Sequence, residues 1–384
     1  MQEFSLPLTR RPRRNRKSKA VREMLSETKL SVSDFVYPVF IMDGNNKEEE
    51  IPSMPGITRK TIDVLLSELE EVVKLGILAI APFPAIAEEL KDSKATLSYA
   101  DDGLVQRAIR QIKEKFPQLL VMTDIALDPF NADGHDGIVS ATGEILNDET
   151  VEVLCKMAVS HGKAGADFVC PSDMMDGRIG AIREALDGAG LENTSIMAYS
   201  AKYASAFYGP FRDALGSAPK AGDKKTYQMD PANVREAMLE VSLDIEEGAD
   251  AVMVKPALPY LDVLSKVADT FDIPVSAYQV SGEYAMIVAA AQNGWLDRKE
   301  EMDNGTRALT SEEIGSIMDH VNVLSGVVNV KKESFTADDL TEEEIKLYTL
   351  AKHHEWLEYV NTSKSEEQLT KRLQSVAYDL QNDN

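Results

Sequence analysis

Short apolar runs alternate with amphipathic stretches along the chain. The apolar runs fall at 34–42, 77–83, 119–126, 168–171, 195–202, 251–255 and 274–280. Each is short and apolar on both sides, as a strand covered on both faces should be. Between them, 61–75, 104–115, 148–164, 179–189 and 231–247 carry apolar residues at helical spacing. Thr61-Ile62-Asp63 and Asn147-Asp148-Glu149-Thr150 read as capped helix starts, and Gly76, Gly165 and Gly248 as helix stops. Gly165-Ala166-Asp167 and Gly248-Ala249-Asp250 lead straight into strands. This alternation, without a Gly-x-Gly-x-x-Gly fingerprint, predicts an α/β fold of the TIM (β/α)8 barrel type.

The pattern yields seven strands rather than eight. It breaks after Trp295-Leu296, and Asn304-Gly305-Thr306 reads as a linker. The expected organisation is a basic arm at 1–30, a barrel at 31–297 and an acidic, mostly helical tail at 298–384. The tail's one β-rich run is 321–330, and 323–330 within it is the candidate for a substitute strand. Without such a strand or a covering partner, the barrel would have an open edge.

Polar residues collect where such a barrel keeps its chemistry, at the C-terminal strand ends. Asp124 ends the third run, Ser172-Asp173 follow the fourth, Lys202 ends the fifth, Lys255 the sixth, and Ser281 follows the seventh. The two lysines carry most information. A strand-end lysine that simply snorkels to water is common. Two together read differently: burial and a neighbouring cation both disfavour the ammonium form, leaving a neutral amine able to attack a ketone and form a Schiff base.

Composition narrows the reading. Of 384 residues 43% are hydrophobic, so a substantial core is expected. No apolar run approaches the ~20 residues of a membrane span, and no secretory signal is read at the N-terminus. Cys155 and Cys170 lack metal-ligand spacing, consistent with a reducing cytoplasm. The net charge of −23 argues against nucleic acid as a partner. Residues 1–30 run the other way, with nine Lys/Arg against three Glu. A basic arm of this kind can bind nucleic acid or an anionic membrane, act as a transit peptide, or dock on an acidic neighbouring subunit. The acidic body favours docking.

Several longer segments make the chain recognisable. They include Arg10-Arg11-Pro12-Arg13-Arg14, Asp124-Ile125-Ala126-Leu127-Asp128-Pro129-Phe130, Pro171-Ser172-Asp173-Met174-Met175-Asp176-Gly177-Arg178 and Tyr199-Ser200-Ala201-Lys202-Tyr203-Ala204-Ser205. Further along come Phe207-Tyr208-Gly209-Pro210-Phe211-Arg212-Asp213-Ala214, Tyr227-Gln228-Met229-Asp230-Pro231, Val252-Met253-Val254-Lys255-Pro256 and Tyr278-Gln279-Val280-Ser281-Gly282-Glu283-Tyr284. From about residue 8 to 297 the chain resembles the porphobilinogen synthase, or 5-aminolevulinate dehydratase, family.

The resemblance implies condensation of two 5-aminolevulinate molecules to porphobilinogen with loss of two waters, in tetrapyrrole (heme) synthesis. It implies Schiff bases on Lys202 and Lys255, the latter principal, and capture of one substrate carboxylate by Arg212, Lys224 and Gln228 on a mobile lid at 206–230. Ser281 would bind the other carboxylate. The positions matching the family's zinc cysteines are Ala126, Asp128 and Asp136, so a cysteine-type catalytic Zn2+ is not expected. Asp124, Asp128 and Asp136 either hold a hydrated cation or orient the substrate amine and a lysine ammonium, with the second favoured. Glu240 matches an allosteric Mg2+ site and reads equally as a surface glutamate. The resemblance also implies a homo-oligomer, an octamer assembled through the arms.

The chain departs from the family at its end. The expected last helix, Gly-Ala-Asp turn, eighth strand and carboxylate-binding Tyr are not found after 297. Three readings follow: an active synthase, a non-catalytic relative acting in binding or assembly, and a class I aldolase-type lyase. The paired lysines and lid clamp argue against the third, and the tail alone argues for the second.

Overall fold

The structure is a computed structural model describing residues 8–27, 30–296 and the strand at 327–330. An exposed arm comes first, with a 3-10 turn at Pro12–Arg16 and helix α1 (Lys19–Met24). Strand β1 (Phe35–Met42) leads to a small hairpin of β2 (Glu48–Glu50) and β3 (Thr58–Lys60). Helices and strands then alternate as α2 (Ile62–Lys74), β4 (Ala79–Ala85), α3 (Leu104–Lys115) and β5 (Leu120–Ile125). A short antiparallel pair, β6 (Ile138–Val139) and β7 (Ile145–Leu146), precedes α4 (Asn147–Ala164), β8 (Phe168–Pro171), α5 (Arg178–Gly188) and β9 (Ser195–Lys202). The remainder is α6 (Gly209–Leu215), α7 (Val234–Glu246), β10 (Ala251–Lys255), α8 (Leu261–Thr270), β11 (Val275–Tyr278), α9 (Ser281–Gln292) and β12 (Val327–Val330).

Strands β1, β4, β5, β8, β9, β10 and β11 pair in parallel in that order, and β12 closes the ring against both β11 and β1. The expected TIM-type barrel is therefore present, with one change. The closing strand runs antiparallel: Val275 to Tyr278 face Val330 to Val327, and Phe35 and Val36 face Val328 and Val327. β12 lies inside the β-rich run of the tail. Sequence reading sought a parallel helix-turn-strand unit, whereas closure here needs only a strand to satisfy two edges, and an antiparallel ladder does so. The barrel's compact unit accordingly extends past residue 297. The expected helical character of the rest of the tail lies outside the described residues.

Alternation along the strands sorts the core. Val36, Phe40, Ala81, Phe83, Met122, Met197, Met253 and Tyr278 fill the interior. Their neighbours Tyr37, Ile80, Val121, Val169 and Ile196 face outward against the helices. β9 breaks this alternation: Ala198 pairs with Val252 but Ala201 with Val254, so three steps on β9 match two on β10. This bulge brings both Tyr199 and Lys202 to the inner face.

Two helix starts differ from the sequence reading. Neither Thr61 nor Asn147 caps its helix through its side chain. The Thr61 hydroxyl ties to the backbone of Lys47 instead, and the Asn147 side chain bonds the backbone of Asp176. The glycine stops are as expected, with Gly165 and Gly248 in the left-handed region at φ 107° and 105°.

Candidate active site

The ends of β5, β8, β9 and β10 carry Asp124, Ser172, Lys202 and Lys255 to one mouth. Lys202 and Lys255 are register partners on adjacent strands, and both are buried. Lys255 stands among aromatic rings, its Nζ 4.4 Å from the ring centre of Tyr278, 5.1 Å from Tyr199, 5.2 Å from Phe211 and 5.5 Å from Tyr208. Burial, then the charge of Lys202, push its pKa down to about 7, against the pull of Asp124, Asp128 and Asp136.

Lys202 sits in the opposite kind of environment. Its Nζ donates to the Ser172 carbonyl and lies 3.3 Å from Asp136 Oδ1. Asp136 is a hub. Lys224 Nζ lies 2.7 Å from its Oδ2, and the Tyr227 hydroxyl donates to the same oxygen at 2.9 Å. Burial would raise the Asp136 carboxyl, but Lys202 and Lys224 more than offset this and hold it below the usual range. Lys224 also pairs with Asp128 at 3.3 Å, and these two carboxylates keep its ammonium form despite burial. Asp124 differs from both. Burial pushes it up to about 6 against the pull of Lys202 and Lys255, and its Oδ1 has no hydrogen-bond partner among the described residues.

The lid segment closes over this mouth. The Arg59 guanidinium donates to the carbonyls of Asp213 and Ala214, and Lys91 to that of Gly216, fastening the end of α6. Arg212, Lys224 and Gln228 thereby join Asp124, Asp128, Asp136, Lys202 and Lys255 around one cavity of about 30 Å3. The cavity is small, because Lys202 and Lys224 pair with Asp136 and Asp128 across it. A larger cavity of about 570 Å3 lies beside β1 and the β2–β3 hairpin and holds neither lysine, so size alone would misplace the site.

Two expected site residues lie elsewhere. The Ser281 hydroxyl, at the start of α9, accepts from the Phe211 N–H at 3.0 Å and donates to the Phe207 carbonyl at 3.2 Å, so it ties down the lid. Glu240 sits on α7, outside the mouth. Its carboxyl is raised, first by burial, with Arg178 opposing and Asp244, Asp176 and Glu236 adding to it.

Sequence reasoning missed the aromatic cage of Tyr199, Tyr208, Phe211 and Tyr278. Each stands in or beside a motif that held a chosen residue, but the bulge in β9 hides that Tyr199 shares a face with Lys202. It also missed Arg178 and Asp244, and with them the partner of Asp173. Arg178 is fully buried and makes a two-pronged pair with Asp244 at 2.9 and 3.2 Å. Asp173, raised to about 6 by burial against the pull of Arg178, lies 3.6 Å away and accepts from the Met175 N–H. This network fixes the loop whose Ser172 carbonyl receives Lys202.

Comparison with known proteins identifies relatives along most of the chain. The family model described as delta-aminolevulinic acid dehydratase matches residues 9–311, reaching beyond the 297 limit expected from sequence. A delta-aminolevulinic acid dehydratase of Bradyrhizobium diazoefficiens is 56% identical over 299 residues, 78% of this chain and 84% of that protein. One from Chlamydia pneumoniae is 54% identical over 295 residues, 77% of this chain and 89% of that protein. The crystal structure of the Toxoplasma gondii enzyme with the reaction product porphobilinogen superposes with a TM-score of 0.77 at 51% identity, covering 82% of this chain and 88% of that one. The chain belongs to the delta-aminolevulinic acid dehydratase family.

Proposed function

We propose that the chain is a porphobilinogen synthase, a hydro-lyase joining two molecules of 5-aminolevulinate with loss of two waters in heme synthesis. The observation that carries this reading is Lys255, an amine held near pKa 7 inside an aromatic cage, facing Lys202 across adjacent strands. The neutral Lys255 amine attacks the ketone of one substrate; loss of water leaves an iminium, an electron sink for the bond-forming steps. Lys202 tethers the second ketone in the same way, and two tethers fix the mutual pose of the reactants. Asp124, buried between both lysines and held near pKa 6, is suited to take and return protons at neutral pH. Arg212, Lys224 and Gln228 hold one substrate carboxylate, with Lys224 exchanging its pairing with Asp128 and Asp136 for the substrate. Ser281 remains the candidate for the second carboxylate, which requires its hydroxyl to leave the lid backbone.

The site chemistry does not fit a cysteine-type zinc. Ala126 offers no donor, and Asp128 and Asp136 are already paired with Lys224, and Asp136 with Lys202 as well. A hydrated Mg2+ fits Glu240 better, since Mg2+ needs only one or two carboxylates and the crowding of Asp244, Asp176 and Glu236 would be relieved by a cation. Its role there would be regulatory. The exposed basic arm would dock on an acidic neighbouring copy, building a homo-oligomer of octamer size. The reading takes the chain to work in the cytoplasm.

Incubation with 5-aminolevulinate followed by Ehrlich's reagent tests the function. Pink colour that grows with time is expected. No colour, with borohydride trapping of substrate on Lys255 intact, would favour the non-catalytic relative instead.

A further inference from the structure

The lid is held by residues outside the carboxylate clamp. His135, buried in the loop between β5 and β6, reaches two points of the lid. Its Nε2 lies 2.9 Å from the Ala221 carbonyl and its Nδ1 3.1 Å from the Tyr227 hydroxyl. That hydroxyl donates its single proton to Asp136 Oδ2 at 2.9 Å and accepts from the Asp136 N–H at 3.3 Å. Nε2 meets a carbonyl, which can only accept, so Nε2 donates there, and Nδ1 lies within hydrogen-bond distance of the Tyr227 hydroxyl. The two contacts fall on either side of Lys224. Close backbone approach is possible here because residue 134 is glycine: a Cβ there would stand 2.2 Å from the Ala218 carbonyl oxygen. The Lys220 N–H also donates to the Asp133 carbonyl at 3.0 Å.

We propose that His135 and Tyr227 are positioning residues for the condensation. Together they fasten lid segment 217–228 over the mouth and set Asp136 against both Lys202 and Lys224. Neither lines the cavity between the lysines. They act through Asp136, which meets the Schiff-base lysine Lys202, and through Lys224, which meets the substrate carboxylate. This rests on the reading that Lys224 and Gln228 bind that carboxylate.

His135→Ala and Tyr227→Phe in the full chain test it with two readouts. Each removes a hydrogen bond to the lid or to a charged hub, so KM for 5-aminolevulinate should rise about tenfold while kcat stays within about threefold. Lys220 and Lys225 are exposed tryptic sites on the same segment, at 58% and 76% side-chain exposure. Tryptic cleavage there should quicken by about tenfold in His135→Ala as the segment opens locally, with the thermal melt unchanged. If the unaltered chain makes no porphobilinogen, the function above fails while the tryptic comparison still judges the latch. Unchanged KM and unchanged cleavage in both variants would overturn the proposal even with normal turnover. So would a lowered melt with no separation of KM from kcat, which is the signature of a merely structural role.

Discussion

Lys202 and Lys255 occupy matching positions on neighbouring strands, and their surroundings make them different reagents. Lys255 meets four aromatic rings, with no carboxylate or carbonyl within hydrogen-bond distance of its Nζ among the described residues. Lys202 meets the Ser172 carbonyl and the Asp136 carboxylate. Burial, then the charge of Lys202, lowers the Lys255 pKa to about 7. In the proposed reading, Lys255 is the amine ready to attack. The largest effect is expected from removing the ready amine. Lys255→Ala should lower porphobilinogen formation by at least about 10^3-fold, as loss of a covalent nucleophile does. Borohydride should then leave no substrate adduct on the peptide spanning β10. Full trapping in that variant would reverse the assignment of the two lysines.

This contrast was only half legible in the sequence. Seven of the eight barrel strands could be read from apolar runs, because buried parallel strands leave an unbroken apolar signature. The mouth followed, since strand ends carry their polar residues in register. The cage around Lys255 did not follow, because the bulge in β9 reverses the inside-outside parity between Tyr199 and Lys202, and nothing local in Ser195–Lys202 marks it. Ser281 was placed beside the substrate by its motif, yet here its hydroxyl is taken by α6, a contact between segments seventy residues apart. β12 was legible as a β-rich run but not as an antiparallel closure, because strand direction is set by tertiary pairing rather than by composition.

The next effect should come from the lid, which supplies Lys224 and Tyr227 to Asp136 on the polar side and Tyr208 and Phe211 to the rings around Lys255. Gly134→Ala places a Cβ 2.2 Å from the Ala218 carbonyl oxygen, at a residue whose φ is +71°. The lid backbone must move. Displacement of about an ångström can cost about 10^2-fold in catalytic efficiency when it misplaces binding groups. We expect that loss mainly as a raised KM, with Lys255 still trapped by borohydride at saturating substrate. Equal loss of trapping would mean that the displacement near residue 218 also carries Tyr208 and Phe211 away from Lys255.

A subtler change should appear in the pH dependence of trapping. The Lys255 amine is reactive when neutral, so adduct formation should rise through about pH 7 in the unaltered chain. The Lys202 charge pushes that amine down, and the Asp124 charge pulls it up. Lys202→Gln should therefore move the midpoint upward, and Asp124→Asn should move it downward. Measuring trapped mass against pH in the three proteins checks both signs at once. Shifts in the same direction would show that burial, rather than the two charges, controls the amine.

The smallest effect is expected from stripping zinc, and it bears on the polar wall alone. Asp128 and Asp136 carry two negative charges against the ammonium of Lys224, with Lys202 adjacent, so the carboxylates are already balanced by lysines. A thiophilic cation would have to displace Lys224 and accept two hard oxygen ligands beside Ala126, which has no donor to give. Treating the chain with a zinc-selective chelator should leave kcat/KM within about twofold, because no transition-state charge in this reading depends on that ion. Added Mg2+ acts at a distance, if Glu240 receives it, and should alter turnover without changing the pH midpoint for Lys255 trapping. Zinc bound stoichiometrically and required for turnover would mean that Asp128 and Asp136 are metal ligands, and that the lysine pairing seen here is what the metal replaces.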